Sequence, residues 1–370
     1  MNILITSNTY YTFNLSNYRG GLESIVGETF KYLASVKDRT GITPYLMCPK
    51  DSVIPAEYEH LVFRLSMDAV EKIKIDNPEK KRIIVRVSDE DQARLRQFIT
   101  DKDITGIFDN STKPAVTKFL ATLGIPMLHL KHNVCYGFEY HTYMAIDAIK
   151  KDHSNVKVAA VSEYVKNGIN RSIEGFVDYV IHPYIIKPVE SIRGTESLRD
   201  VLVSRIQRDY RVNDIVKLYG ETGKQLDIIG DHHLLGDPYF DEFQALVDKY
   251  PSVTYLGPMN HADLLNMLPG YRAYASLGVQ DAFSMAVFEA QAQGLPLLSI
   301  QSEVLGYDEY VVWGPNGTGI KMDYSVFKDH TKFIQAWDQV NLVDRQNVLD
   351  NINEHHYIQA YTDSIFSLLI

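Results

Sequence analysis

The sequence has little cysteine. Among its 370 residues only Cys48 and Cys135 occur, too few for a disulfide framework and compatible with a reducing compartment. Neither has a partner at metal-ligand spacing. No apolar run approaches the ~20 residues that a membrane-spanning helix needs, so stable membrane insertion is not expected. The first residues, MNILITSN, lack the basic start and apolar stretch of a signal peptide and read as a strand. A cytoplasmic protein is the expectation. The dinucleotide pattern G-x-G-x-x-G is absent, as are short repeats and low-complexity tracts. Basic charge is scarce in one half only. Residues 1–184 carry 23 Lys+Arg and 22 Asp+Glu; residues 185–370 carry the remaining 14 and 25, which gives the net charge of −10. An acidic chain is a poor candidate for nucleic acid, but that objection applies to the second half alone. Segment 111–171 holds eight basic residues, four acidic ones and four histidines. A solvated face is the ordinary meaning of such a stretch.

What is present is an alternation. A chain of this length suggests two domains. The run NILITS is followed by a helical pattern in which Ile25, Val26, Phe30, Leu33 and Val36 recur at helical spacing. Further strand runs are TPYLMC, LVFRLS, RIIVRV, TGIFD, PMLHL, VKVAAVS and DYVIH, most of them separated by helical patterns. The series then restarts with DVLVSRI, QLDIIG, VTYLG, RAYASL and LPLLSI. Strand–helix alternation of this kind builds open, parallel, doubly wound α/β sheets. The break falls near HPYIIKPVES, where two prolines read as a linker. The expected organisation is one Rossmann-like domain over residues 1–184, a second over 185–354, and a cleft between them. Residues 355–370 form an amphipathic terminal helix. Ligands of such sheets sit at the carboxyl ends of the strands.

Four loops at those ends carry chemistry. Gly20-Gly21 precedes a helix and lets the backbone approach an anion; alone, a glycine pair reads equally as a plain turn. Lys131 and His132 follow PMLHL. Arg205, Arg208 and Arg211 follow DVLVS, and arginine forks suit phosphate oxygens; alone they are surface arginines at a helix start. The segment DAFSMAVFEAQAQGLP, residues 281–296, sets Asp281 and Glu289 eight positions apart, a little over two helical turns. Both acids would then lie near one face, with Phe283, Ser284 and Met285 at the helix entry. Two solvated acids on a core helix is the plain alternative. Together the loops supply anion donors, cations and hydroxyl acceptors, as a nucleotide diphosphate sugar requires. GDHH at 230–233 lacks a carboxylate-and-histidine set at helical spacing and is set aside as a metal site.

With these motifs the sequence resembles the large retaining GT-B glycosyltransferase family. Gly20, Gly21, Leu22 and Glu23 match its GG-x-E loop. His132 matches its strand-end histidine, and VSEYVK at 161–166 matches its V-S-x-x-V-K. Asp281 to Glu289 followed by Gly294-Leu295-Pro296 matches its E-x7-E block, with Asp for the first Glu. The family's Arg-x4-Lys matches at Arg205, but Tyr210 stands at the lysine position; Arg211, then Arg208, is the nearest substitute. Ser284 stands where the family has glycine.

The resemblance implies a donor site and an acceptor site. Glu289 would hold the ribose hydroxyls, Asp281 the sugar hydroxyls, and Arg205 and Arg211 the leaving diphosphate of a UDP-sugar, with no metal required. Gly20, Gly21, Arg208, Phe283, Ser284 and Met285 complete the donor contacts. His132, Arg205, Arg211 and Asp281 form the catalytic set. It implies an acceptor-binding N-terminal domain, a nucleotide-sugar-binding C-terminal domain, and a terminal helix returning to the first. Two acceptor classes follow. One is a hydroxymethylated pyrimidine in duplex DNA, as in phage enzymes of the T-even type, acting in the cytoplasm of the host bacterium, with Lys113, Lys118 and Lys131 as DNA contacts and Lys150, Lys151 and Arg171 further off. The other is a bacterial surface or lipid-linked glycan. A sugar-nucleotide-binding protein without catalysis is the third reading.

Overall fold

The computed structural model describes residues 1–7, 12–18, 20–74, 81–134, 140–185, 189–192, 197–232, 238–278, 281–301, 303–355 and 358–370. Cys135, His233 and linker residues 186–188 lie outside the described residues. The chain forms two compact units: residues 1–185 with 358–370, and residues 186–357.

Unit 1 is built on parallel strands β1 (Asn2–Thr6), β2 (Thr43–Pro49), β3 (Val62–Leu65), then β6 (Gly106–Asp109), β7 (Met127–Lys131), β8 (Val156–Ala160) and β9 (Tyr179–Val180), in the order β3-β2-β1-β6-β7-β8-β9. Between β3 and β6 lies an antiparallel hairpin, β4 (Met67–Lys74) with β5 (Lys81–Val87). The run RIIVRV is therefore a strand, but of this hairpin and not of the parallel sheet. Its apolar pattern is the same in either setting, so the sequence could not assign it a sheet. The helices are α1 (Gly21–Thr40), α2 (Asp89–Asp101), α3 (Pro114–Ala121), α4 (Tyr140–Asp152) and α5 (Glu163–Asn170). A parallel sheet covered on both faces needs unbroken apolar strands, and Ile3, Leu4, Ile5, Ile107 and Phe108 are all buried without exposure.

Unit 2 repeats the design with β10 (Asp200–Val203), β11 (Leu226–Ile229), β12 (Val253–Gly257), β13 (Tyr274–Leu277), β14 (Leu297–Ile300) and β15 (Gly319–Met322), ordered β12-β11-β10-β13-β14-β15. Its helices are α6 (Val212–Thr222), α7 (Pro238–Lys249), α8 (His261–Met267), α9 (Met285–Ala292), α10 (His330–Gln339) and α11 (Arg345–His355). The edge strand β15 was absent from the sequence reading, since four residues flanked by turn residues carry almost no pattern. The strand order reverses direction between β1 and β6 in unit 1 and between β10 and β13 in unit 2. In open sheets these switch points are where ligands bind, at the carboxyl ends.

The last helix, α12 (Ile358–Leu369), packs in unit 1 against α1, β6 and β7. Tyr361, Ile365 and Leu369 are almost wholly buried, with Ile358 and Phe366 nearly so. Tyr361 meets Phe108 edge-on at 6.4 Å, and Lys157 Nζ donates to the Leu368 carbonyl at 2.7 Å. Five such side chains supply roughly 10 kcal/mol of burial, comparable with the whole net stability of a domain. Deleting residues 358–370 is therefore expected to unfold unit 1. Limited proteolysis of the truncated chain should degrade residues 1–185 and spare 197–355; a protected unit 1 would refute this.

Candidate functional site

After β13 the chain passes Asp281 and enters α9 through Ser284, which takes the left-handed backbone at φ 56° and ψ 81°. That conformation is costly for a residue with a Cβ, roughly 1–3 kcal/mol, and is kept only where neighbours enforce it. The neighbours come from residues 305–310. Tyr310 Oη donates to the carbonyls of Phe283 (2.8 Å) and Ser284 (3.1 Å), and Gly306 N–H donates to the Asp281 carbonyl (2.9 Å). A Cβ at Gly306 would overlap the Ala282 carbonyl, so glycine is needed there. Phe283 is buried between Phe288 and Tyr310 at 5.7 and 5.0 Å. It thus anchors the turn, and its side chain is closed to a ligand.

Asp281 stands on this turn, outside the helix. Burial raises its carboxyl to about 7, an effect eased by a hydrogen bond from Ser284. Glu289 lies on α9 and is 6 % exposed; its Oε1 is 2.9 Å from His261 Nε2. The hydroxyl of Tyr274, the first residue of β13, is raised by burial first, then by the charges of Asp281 and Glu289, and it donates to the Val203 carbonyl at the carboxyl end of β10 at 2.9 Å. Helical spacing does not relate the two acids, because the helix begins only at Met285. His261 escaped the sequence reading. Asn260 caps α8 by accepting from Asp263 N–H at 2.9 Å, and Asn-x-x-Asp could have marked a helix start. Nothing local points from residue 261 to an acid 28 positions away.

The three arginines after β10 have different surroundings. Arg205 is exposed, and no ion pair engages it among the described residues. Arg208 lies over the Tyr239 ring at 5.3 Å and 3.9 Å from Glu242. Arg211, itself left-handed at φ 51°, holds Asp214 through Nε (2.8 Å) and a terminal nitrogen (2.7 Å) and lies over Tyr324 at 4.9 Å. Arg211 is thereby fixed at the start of α6, and Arg205 is the one exposed without such a partner. The loop is braced from β11. A Cβ at Gly230 would overlap the Ser204 carbonyl, next to Arg205. Gly230→Ala is expected to displace the arginine loop with unit 2 still folded. Amide NMR shifts confined to residues 204–211 at an unchanged melting temperature check it, and an unshifted loop would refute it.

At the carboxyl edge of unit 1, Asp109 has no exposure. It accepts hydrogen bonds from Thr6 Oγ1 (2.7 Å), Thr117 Oγ1 (2.8 Å), the Ser111 N–H (3.0 Å) and His129 Nδ1 (2.7 Å). Burial would raise its carboxyl; His129 and these donors outweigh that and hold it down at about 2. Burial also lowers the His129 pKa. A neutral His129 thus donates Nδ1–H to the carboxylate and turns its Nε2 lone pair to Lys131 Nζ, 3.4 Å away. Lys131 is 7 % exposed and lies over the Tyr143 ring at 4.1 Å, so its charge faces inward. Lys113 is half-buried at the start of α3, and Lys118 is exposed. Lys150 is held by Asp178 (2.7 Å) and Lys151 by Asp147 (2.6 Å); Arg171 is exposed at the end of α5. His132 Nε2 is 3.1 Å from Asn110 Oδ1. Gly20 is extended at φ −168°, a conformation any residue adopts, and leaves the start of α1 without a side-chain cap.

Among the described residues no cluster of His, Cys, Asp and Glu could hold a metal ion, and no helix is long and apolar enough to cross a membrane.

No protein-family description and no curated protein matches the sequence. Solved structures do match. Anabaena Alr3699/HepE in complex with UDP aligns with a TM-score of 0.70 at 14% identity, over 100% of this chain and 99% of that one. Sucrose-phosphate synthase (tll1590) from Thermosynechococcus elongatus aligns at 0.70 and 15% identity, over 99% and 98%. The lipopolysaccharide outer core galactosyltransferase WaaB aligns at 0.64 and 15% identity, over 99% of each chain. The fold is GT-B. At these identities the likeness is one of fold, and the chemistry must be argued from the residues.

Proposed function

We propose that the protein is a glycosyltransferase that moves a sugar from a UDP-sugar to an acceptor hydroxyl with retention of anomeric configuration. What supports this reading is the position of Arg205 after β10 and of Asp281 after β13, neighbouring strands at the switch point of unit 2, with Glu289 on the helix that follows, in a fold whose solved examples include UDP and UDP-glucose complexes of HepE. In this reading Glu289, with one carboxylate oxygen on His261, keeps the other for the ribose hydroxyls. Asp281 accepts from the hydroxyls of the sugar. Arg205 neutralises charge on the departing diphosphate, the larger part of catalysis where no covalent intermediate forms. The acceptor oxygen attacks on the leaving-group side, and the departing phosphate takes its proton. Thermal shift with UDP, UDP-glucose and other nucleotide sugars tests donor binding; no stabilisation by any uridine nucleotide would reject the reading.

For the acceptor, the reading put first is a hydroxymethylated pyrimidine in duplex DNA. It is supported by Lys113 and Lys118, which follow the Asn110 strand end within one loop and one helical turn. The base would have to leave the stack to reach that edge, and binding would weaken with salt. Charge reversal at Lys113 and Lys118 is expected to lower DNA affinity about tenfold at low salt while UDP affinity is unchanged. A bacterial surface glycan is the second reading. The inward Lys131 and the paired Lys150 and Lys151 favour it, since they leave few cations for phosphates. Hydroxymethylated DNA that receives no sugar from any common donor at low salt would decide for the glycan.

A further inference from the structure

Helices α6 and α7 leave a groove of about 390 Å³ between them on unit 2, lined by Asn213 and Lys217 of the first and by Glu242, Ala245, Leu246 and Lys249 of the second. Residues 213 and 217 are one helical turn apart, and 242, 245, 246 and 249 recur at the spacing of one helix face. The volume lies within the range of roughly 300–1,000 Å³ that small-molecule sites occupy. No residue assigned above to the nucleotide sugar is in this lining. Asn213 is 6 % exposed. Its backbone N–H donates to Tyr239 Oη at 3.0 Å, but its Oδ1 is buried with no hydrogen-bond partner. A buried acceptor left this way is rare, because it has given up water for nothing. The terminal torsion of asparagine is soft, and turning the amide over leaves an N–H group in the same position. A hydroxyl both gives and accepts, so it satisfies either end. The charges of the groove are unequal. Lys217 is exposed, and no hydrogen bond or ion pair engages it among the described residues. Lys249 is exposed and lies over the Tyr250 ring at 4.8 Å. Glu242, the carboxylate of the lining, is 3.9 Å from Arg208, which offsets it. Leu246, half-buried against the core of unit 2, is the apolar floor.

We propose that the groove between α6 and α7 is a binding site for a small phosphorylated polyol, with the phosphate on Lys217 and Lys249 and a hydroxyl on Asn213. A phosphomonoester carries close to two negative charges at neutral pH, the complement of the two ammonium groups, and a diester carries one. Inorganic phosphate would meet the lysines and leave Asn213 unmatched. An uncharged polyol would satisfy Asn213 and leave the lysines to water. Only a ligand with both groups uses the whole lining, with its carbon chain laid on Leu246. Ala245, the smallest side chain of the lining, takes the least room from it. The inference does not rest on the glycosyltransferase reading, since none of the residues it uses belongs to that site.

The test uses the full 15N-labelled chain, read by NMR. Glycerol 3-phosphate at millimolar concentration is expected to shift the Asn213 side-chain amide and the backbone amides of 213–217 and 242–249. Glycerol should shift none of them, and inorganic phosphate should bind about tenfold more weakly. Lys217→Glu combined with Lys249→Glu should weaken glycerol 3-phosphate binding by about tenfold or more, at an unchanged melting temperature because both side chains are exposed. Ala245→Leu fills the groove and should abolish binding. Asn213→Ala should bring glycerol 3-phosphate down to the affinity of inorganic phosphate while the melting temperature holds or rises, since an unmatched buried acceptor is removed; an asparagine that only supports the fold would lower it. Phosphatidate vesicles carry the same phosphomonoester on a bilayer. Sedimentation with them, lost in the lysine variant, would assign the ligand to a lipid headgroup, and its absence assigns it to solution. Equal binding of inorganic phosphate and glycerol 3-phosphate, or shifts that survive in both the lysine and the Ala245→Leu variants, would overturn the proposal. UDP thermal shift on the same samples separates the two readings: no response to UDP in the parent would sink the glycosyltransferase and leave this site standing.

Discussion

Arg205→Ala and Glu289→Ala are each expected to lower kcat/KM for UDP-glucose by roughly 10²–10³, about 3–4 kcal/mol of transition-state stabilisation, with little change in melting temperature. The two should differ in kind. Arg205 is exposed, so its removal leaves nothing buried unpaired; in the proposed role it meets charge that develops as the diphosphate departs, and its loss should depress kcat. Glu289 is buried and paired with His261 at 2.9 Å. In the proposed role it makes ribose contacts equal in ground and transition states, and its loss should raise KM more than it lowers kcat. Glu289→Gln still accepts from His261 and should fall between. UDP-glucose turnover measured by UDP release, with donor varied from below to above KM, decides: near-normal kcat/KM in both alanine variants would remove these residues from the site.

The second large effect concerns Asp281 and has opposite signs in stability and function. Its carboxyl is raised by burial to about 7, well above its value in the unfolded chain. A group raised in this way contributes stability that is complete below the ordinary carboxylate pKa and is lost as pH rises through about 7. Unit 2 should therefore lose stability between about pH 4 and 8, by an amount of order 1–2 kcal/mol once the surface that Asp281 keeps in water is allowed for. Asp281→Asn removes the ionisation, so above pH 7 the variant is expected to melt a few degrees higher than the parent. The same change should nearly abolish transfer, because in the proposed role the ionised form accepts from sugar hydroxyls. Transfer by the parent should accordingly rise with pH along a limb centred near 7. Melting curves and pH–rate profiles check both halves. A variant less stable than the parent at pH 8 would show that Asp281 is held by an interaction its burial conceals. Ser284→Gly gives a smaller companion result: relieving φ 56° should leave stability equal or up to about 1 kcal/mol higher.

By itself the sequence determined the class of fold. Parallel sheets covered on both faces require continuous apolar strands separated by helices, and NILITS, TGIFD, QLDIIG and LPLLSI announce them without any partner in view. Gly294 closes α9 in the left-handed region at φ 73°, a demand of the local backbone that Gly-Leu-Pro states outright. Tertiary structure decided whatever depends on distant partners. RIIVRV joined a hairpin and not the main sheet, because an apolar run does not carry the identity of its neighbour. Asp281 is set on a left-handed turn clamped by Tyr310 and Gly306, outside the helix that carries Glu289, and not one helical period away from it. His261 reaches Glu289 across 28 positions, and Asp109 reaches His129 across 20. Lys131 reads as a surface cation in sequence but is buried by its register on β7, with its ammonium set between an imidazole and an aromatic ring. Burial and long-range hydrogen bonding are properties of the packed chain, and they set which of these ionisable groups carries its charge into water.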